Sequence, residues 1–196
     1  MTPSTTISIS PPKLLTYKAY LEEGEINRRY DIIDGERKFM PGATRQHQIY
    51  VQRLLRVLED YGLASGVGIA YVAPCDVLIR QNPLRTRQPD VMLISKERDE
   101  DNPPPAEPFP LSPAPELVIE VVSTHETEQI LNAKIADYCL VEVEEVWIVR
   151  PALQTVEVQH LTSGGAVSVA TYGQGETVKS LTFSELAVGV NAIFAV

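Results

Sequence analysis

From Leu117 to Val122 the chain reads Leu-Val-Ile-Glu-Val-Val, five aliphatic side chains around one carboxylate. A run this apolar and β-branched predicts a central strand, covered on both faces. Glu120 is then withdrawn from water. Burying an unpaired carboxylate costs several kcal/mol or more, so Glu120 must be protonated, paired, or bound to a cation. Alternation puts Val118 and Val122 on its face. One alternative is structural, an ion pair or shifted pKa that only serves the core; the other is a functional site.

The rest of the pattern supplies the layers around such a strand. Residues 1–14 are rich in Ser, Thr and Pro and are expected to form a loose arm, with residues 15–196 as one domain. Thr16 can cap a short helix that carries Tyr17, Tyr20 and Leu21 and ends near Gly24. Arg29–Ile33, Asp34-Gly35 and Glu36–Met40 spell a hairpin. Residues 43–61 predict a long amphipathic helix with Tyr50, Val51, Leu54, Leu55, Leu58 and Tyr61 on one face and Gly62 as its end. Strands are expected at 67–72, 76–80 and 89–94, then a Pro-dense surface excursion at 97–115 without regular structure. Ser123 and Glu126 match a capping box that opens a helix to about Leu140. Strands at 146–149, 155–161 and 167–172 follow, and Thr182–Glu185 is expected to cap a last short helix. No internal repeat is visible. The expectation is an α/β fold with a mixed sheet.

Charge narrows the function classes. The net charge is −9, which argues against a protein that coats nucleic acid non-specifically. The balance is uneven: residues 1–98 carry a net +3 and residues 99–196 a net −12, so a polyanionic partner should meet the N-terminal half. No apolar run approaches the roughly 18 residues of a membrane helix. The first residues lack the pattern of a secretory signal, so the cytoplasm is the expected compartment. Cys75 and Cys139 form no CxxC pair and are expected as free thiols. There is no GxGxxG, no GxxxxGK[ST] and no GxSxG, and the three histidines lack zinc spacing.

Four other residues join Glu120 as candidates. Asp90 follows Pro89 and opens an apolar strand; alone it is turn chemistry. Two carboxylates on neighbouring strands, however, repel unless a divalent cation lies between them, and hard oxygen ligands favour Mg2+ or Mn2+. Lys134 shares a helix face with Ile130, Leu131 and Tyr138. There it either snorkels to water or points at Glu120 and supplies charge for an attacking water. Glu36 is either an exposed hairpin acid or a further metal-site carboxylate. His47 on the long helix is expected as a structural histidine.

Tyr30-Asp31-Ile32-Ile33-Asp34-Gly35-Glu36, His47, Pro89-Asp90-Val91, Leu117–Ser123, Lys134 with Tyr138, and Val146-Trp147-Ile148-Val149 occur in an order and spacing that resemble the Uma-type endonuclease family, from about residue 15 to the C-terminus. The resemblance implies the restriction-endonuclease-like PD-(D/E)XK fold: a mixed β-sheet core flanked by helices, with additional N-terminal and C-terminal strands. It implies Asp90 as the motif aspartate and Glu120 as the motif acid. The usual lysine two positions later would be Val122, and its role passes to Lys134. Glu36 completes the metal site, and the backbone carbonyl of Val121 joins Asp90 and Glu120 on the metal. The implied activity is Mg2+- or Mn2+-dependent phosphodiester hydrolysis, in DNA first of all, with a homodimer where both strands are cut. The alternative is a nuclease-like binding or interaction module without turnover. The chain departs from the family's Gly-Val-x-Glu-Tyr-Trp run, reading Val141-Glu142-Val143-Glu144-Glu145-Val146-Trp147 instead.

Overall fold

A computed structural model describes residues 14–24, 26, 28–102, 110–124 and 126–195. The expected arm thus lies almost wholly outside the described residues, as do residues 103–109 of the Pro-dense segment and His125. The elements run α1 (Tyr17–Glu22), β1 (Tyr30–Ile33), β2 (Glu36–Phe39), α2 (Arg45–Ser65), β3 (Gly68–Val72), β4 (Val77–Gln81), β5 (Leu84–Arg87), β6 (Val91–Ser95), α3 (Lys96–Glu100) and β7 (Leu117–Val121). They continue with α4 (Glu128–Tyr138), β8 (Glu145–Arg150), β9 (Thr155–Thr162), β10 (Gly165–Tyr172), β11 (Thr177–Lys179), β12 (Ala187–Gly189) and α5 (Val190–Phe194).

The core is a six-stranded mixed sheet in the order β10-β9-β8-β7-β6-β3. β7 and β8 are parallel and the other neighbours antiparallel. Parallel neighbours need a crossover, and α4 supplies it. Leu117, Ile119 and Val121 pack toward α2 and the C-terminal elements, whereas Val118 packs on the other face with Leu131, Ile135 and Tyr138 of α4. The all-apolar reading of β7 is thereby explained: helices cover both faces. A second, N-terminal sheet, β2-β1-β5-β4, has its own small core of Tyr20, Tyr30, Ile32, Leu78 and Leu84. β11 and β12 form a two-stranded C-terminal sheet. The fold is therefore a mixed β-sheet core flanked by helices, with additional N-terminal and C-terminal strands.

Four local expectations are corrected, and one strand, β5, is added. Gly62 does not end α2; the helix continues to a left-handed cap at Gly66. A Cβ at Gly62 would stand 2.6 Å from the carbonyl oxygen of Gly68, so the glycine lets α2 lie against β3. Strand β5 carries arginines at 85 and 87 and reads as polar, yet Arg87 is buried because Asp31 and Asp137 neutralise it. The segment 97–115 is not wholly irregular or superficial: α3 runs into it as far as Glu100, and Leu111 and Ala114 are buried, with Leu111 bridging to Val77. The capping box at Ser123 does not open α4. Thr127 caps it, accepting from the amide of Ile130. Thr182–Glu185 starts no helix; the last one is α5. The amides of Leu181 and Thr182 instead donate to the carboxylate of Glu145.

The Gly62 contact makes a signed prediction. Inside a helix, glycine to alanine ordinarily stabilises by about 1 kcal/mol. Gly62→Ala should instead lower the midpoint of thermal unfolding, by the equivalent of about 1–3 kcal/mol, because α2 and β3 must separate. A raised midpoint would mean that the helix–strand approach is soft.

Candidate active site

The site forms where β6 begins and β7 ends. The two strands are antiparallel with Val91 opposite Ile119, so Asp90, one residue before β6, lies beside the last residues of β7. The amide of Val121 donates to Asp90 Oδ2 at 2.8 Å. On Oδ1 converge Arg29 Nη1 at 2.5 Å and His47 Nε2 at 3.2 Å. His47 reaches it from the first turns of α2, which Thr44 caps. Burial works against ionisation of Asp90, but the hydrogen bond from His47 and the charges of Arg29, His47 and Lys134 overcome it and hold its pKa down at about 2. Asp90 is thus a fixed buried anion.

Glu120 points to the α4 side of β7. Lys134 Nζ donates to its Oε2 at 2.8 Å and the Tyr138 hydroxyl to its Oε1 at 2.5 Å. The i,i+4 spacing of Lys134 and Tyr138 puts both donors on one face of α4. Burial pushes the Glu120 carboxyl up to about 7, against the opposing charge of Lys134, with the negative charges of Asp90 and Glu126 adding to the rise. Lys134 is buried, yet the charges of Glu120 and Glu126 overcome its desolvation and hold it above the usual lysine range. It bridges two acids, since Nζ also lies 2.8 Å from Glu126 Oε1. Ending the turn at Thr127, not Ser123, is what leaves Glu126 free to do this.

A second ionic layer braces α4. Arg87 joins Asp31 and Asp137 at 2.6 Å each, and Arg85 joins Asp137 at 3.0 Å and Asp34 at 2.9 Å. The N-terminal sheet therefore grips α4 one turn from Lys134. Over these groups opens a cleft of about 590 Å³. Arg29, Asp31, His47, Arg87, Asp90, Val121, Glu126 and Lys134 line it, with Phe39, Met40, Tyr50 and Ile130 as apolar walls.

The structure thus brings Asp90, Val121, Glu120 and Lys134 together. It does not bring Glu36 to them: Glu36 is about half exposed, pairs with Lys38, and lies outside the cleft lining. The acid that the hairpin sends to the cleft is Asp31, buried on β1 three residues before Asp34 of the tight turn. Sequence reasoning also missed Arg29 and the role of Glu126. Arg29 had one legible signal, a charge beside the first residue of an apolar strand. Among the described residues no three His, Cys, Asp or Glu side chains converge as a metal-ligand cluster. The donor chemistry still fits a hard divalent cation: two carboxylates from adjacent strands and the Val121 carbonyl are all oxygen ligands. Positive charge is what these carboxylates accept at rest, from Arg29 and Lys134.

Three comparisons bear on this arrangement. The family model Uma2, described as "Putative restriction endonuclease", matches residues 16–191. No curated protein matches the chain. Among solved structures, one described as "a putative nuclease belonging to DUF820" from Anabaena variabilis superposes with a TM-score of 0.72 at 18% identity, covering 92% of this chain and 97% of the other. At that identity the likeness is one of fold.

The depressed Asp90 gives a pH signature. Its folded pKa of about 2 lies below the ordinary value of 3.8, so its ionisation stabilises the fold above about pH 4 and that contribution is lost as pH falls through about 2. By denaturant unfolding, the wild type should lose roughly 2 kcal/mol across this window, and Asp90→Asn should lack that component. Parallel curves for the two proteins would show that Asp90 is not held ionised by its neighbours.

Proposed function

Because the chain belongs to the Uma2 family of PD-(D/E)XK-like nucleases, we propose that it is a divalent-metal-dependent endonuclease that hydrolyses phosphodiester bonds, with DNA as the expected substrate. The observation that carries this reading is the convergence of Asp90, Glu120 and Lys134 at the end of β7, with Asp90 and Lys134 lining a cleft of about 590 Å³ and Glu120 buried against Lys134.

Asp90, Glu120 and the Val121 carbonyl would hold Mg2+ or Mn2+. Bound there, the cation supplies a Lewis acid for the phosphate and a lowered pKa for a bound water. The chain's own residues do the rest. Lys134 orients the attacking water and offers its ammonium to the charge that builds on the phosphorane-like transition state. Glu126 is the second acid on Nζ, which fixes the amine without removing its charge. Tyr138 fixes the Glu120 rotamer; its hydroxyl stays protonated because burial raises its pKa. His47 orients Asp90. A double-strand cut needs two such sites, so a homodimer is the expected form for that reaction.

A second reading is favoured by one observation. All four oxygens of Asp90 and Glu120 already accept hydrogen bonds from the chain. A fold kept as a binding module, without turnover, would look the same at rest.

The test is cleavage by purified protein with Mg2+ or Mn2+. Plasmid and oligonucleotide DNA should be nicked or cut. Asp90→Asn, Glu120→Gln and Lys134→Met should each abolish the reaction, and Glu36→Gln should retain it. No cation binding by calorimetry at millimolar Mg2+ or Mn2+, with or without DNA, would leave the binding module as the reading. Cleavage unchanged in all three variants would place the activity elsewhere.

A further inference from the structure

We propose that Arg29 is the anchor for the substrate phosphate, and that at rest it occupies the cation position of Asp90, so that divalent-cation binding and phosphate binding strengthen each other. This deepens the nuclease reading and rests on it.

Of the cleft's cations, Lys38 is exposed and pairs with Glu36 away from Asp90; among the buried ones the geometry sets Arg29 apart from Lys134 and Arg87. Its Nη1 lies 2.5 Å from Asp90 Oδ1 and its Nη2 2.7 Å from the carbonyl of Gln88. Its Nε is buried and has no hydrogen-bond partner among the described residues. Lys134 is held between two carboxylates, and Arg87 between Asp31 and Asp137. Arg29 has a single carboxylate partner, and its side chain is 23% exposed against 4% for Asp90 and 8% for Lys134. Of Arg29, Arg87 and Lys134 it is the least buried, with a donor unspent.

Asp90 keeps two donors when Arg29 leaves. His47 still donates to Oδ1 and the Val121 amide to Oδ2, so the carboxylate keeps its orientation and gains a free lone pair. A divalent cation and a guanidinium cannot share Oδ1 without strong like-charge repulsion. A phosphate resolves the conflict, because the planar fork of arginine matches two phosphate oxygens. A phosphate that draws Arg29 off Asp90 vacates the cation position. A cation at Asp90, in turn, releases Arg29 for phosphate. Linkage makes the two effects equal.

The experiment is calorimetric titration of Mn2+ into wild type and Arg29→Gln, each with and without a non-cleavable phosphorothioate oligonucleotide. The wild type should bind Mn2+ weakly alone and about tenfold more tightly with the oligonucleotide. Arg29→Gln should bind Mn2+ about tenfold more tightly than wild type without the oligonucleotide, gain little from it, and bind the oligonucleotide itself more weakly. Equal Mn2+ affinity in the two proteins, or no gain in the wild type, overturns the proposal and leaves the nuclease reading standing. Absence of Mn2+ binding in every arm removes the nuclease reading and the proposal together. Should the Gln variant fail to fold, Arg29→Lys carries the test. It keeps the charge but loses the two-point grip on Asp90 and Gln88, and its Mn2+ affinity should exceed that of wild type; an unchanged affinity overturns the proposal.

Discussion

The carboxylate of Glu120, buried in the middle of the sheet and answered by Lys134 and Tyr138, is the interaction on which the arrangement around the cleft turns. A buried acid could be relieved by neighbouring strands, by loop amides or by a helix. Here the helix does it, with two donors one turn apart on α4. That choice sets the rotation of α4 about its own axis. With the rotation set, Leu131 and Ile135 face the sheet, Glu126 reaches back to Lys134, and Asp137 meets Arg87 of the N-terminal sheet. One electrostatic requirement in β7 thus ties together the main sheet, the crossover helix and the N-terminal hairpin.

Glu145 shows why a buried acid is not in itself a site. It lies on β8, opposite Leu117, and is as inaccessible as Glu120. Its oxygens accept from the Trp147 indole, the Ser180 hydroxyl and two backbone amides. Those donors are neutral and locked in place, and they tie the segment after β11 to the main sheet. Glu120 has an ammonium as partner, and a second acid, Asp90, stands on the next strand at the rim of an open cleft. Neutral donors fill every need of Glu145. Glu120 and Asp90 each count one cation among their donors, Lys134 and Arg29.

Much of this was legible in the residues, and the failures share a cause. Asp34-Gly35, Thr16 and the stripe on α2 are local signals, and the hairpin, α1 and α2 follow from them. The Leu117–Val122 run located the central strand because only a doubly covered position tolerates it. What escaped depended on partners far away in sequence. Arg85 and Arg87 look like surface residues until Asp137, some fifty positions on, pairs with them. Gly62 looks like a helix stop until Gly68 needs the space. Ser123 and Glu126 satisfy a capping box, but Lys134 competes for Glu126 and wins, since a charged partner outweighs one more amide bond at a helix end. Asp31, not Glu36, meets the cleft because it lies on the inner strand β1, where Arg87 of β5 pairs with it, whereas Glu36 stands beside the turn on the edge strand β2.

The position of the lysine carries the last step. On a strand, two residues after the acid, an amine would share the backbone of its partner and be set by local geometry alone. At that position stands Val122, half-buried against the α4 side of the sheet, and the amine comes from a helix fourteen residues on. Its placement therefore depends on α4 being packed, capped at Thr127 and gripped through Asp137. The acid pair of β6 and β7 can form as soon as the two strands align, whereas the charge that complements it arrives only with the helix. An unpaired Glu120 in a half-packed core costs several kcal/mol, so docking of α4 and completion of the site are the same event. The burial that makes Glu120 costly to the fold is also what couples the integrity of the site to the packing of the whole α4 layer.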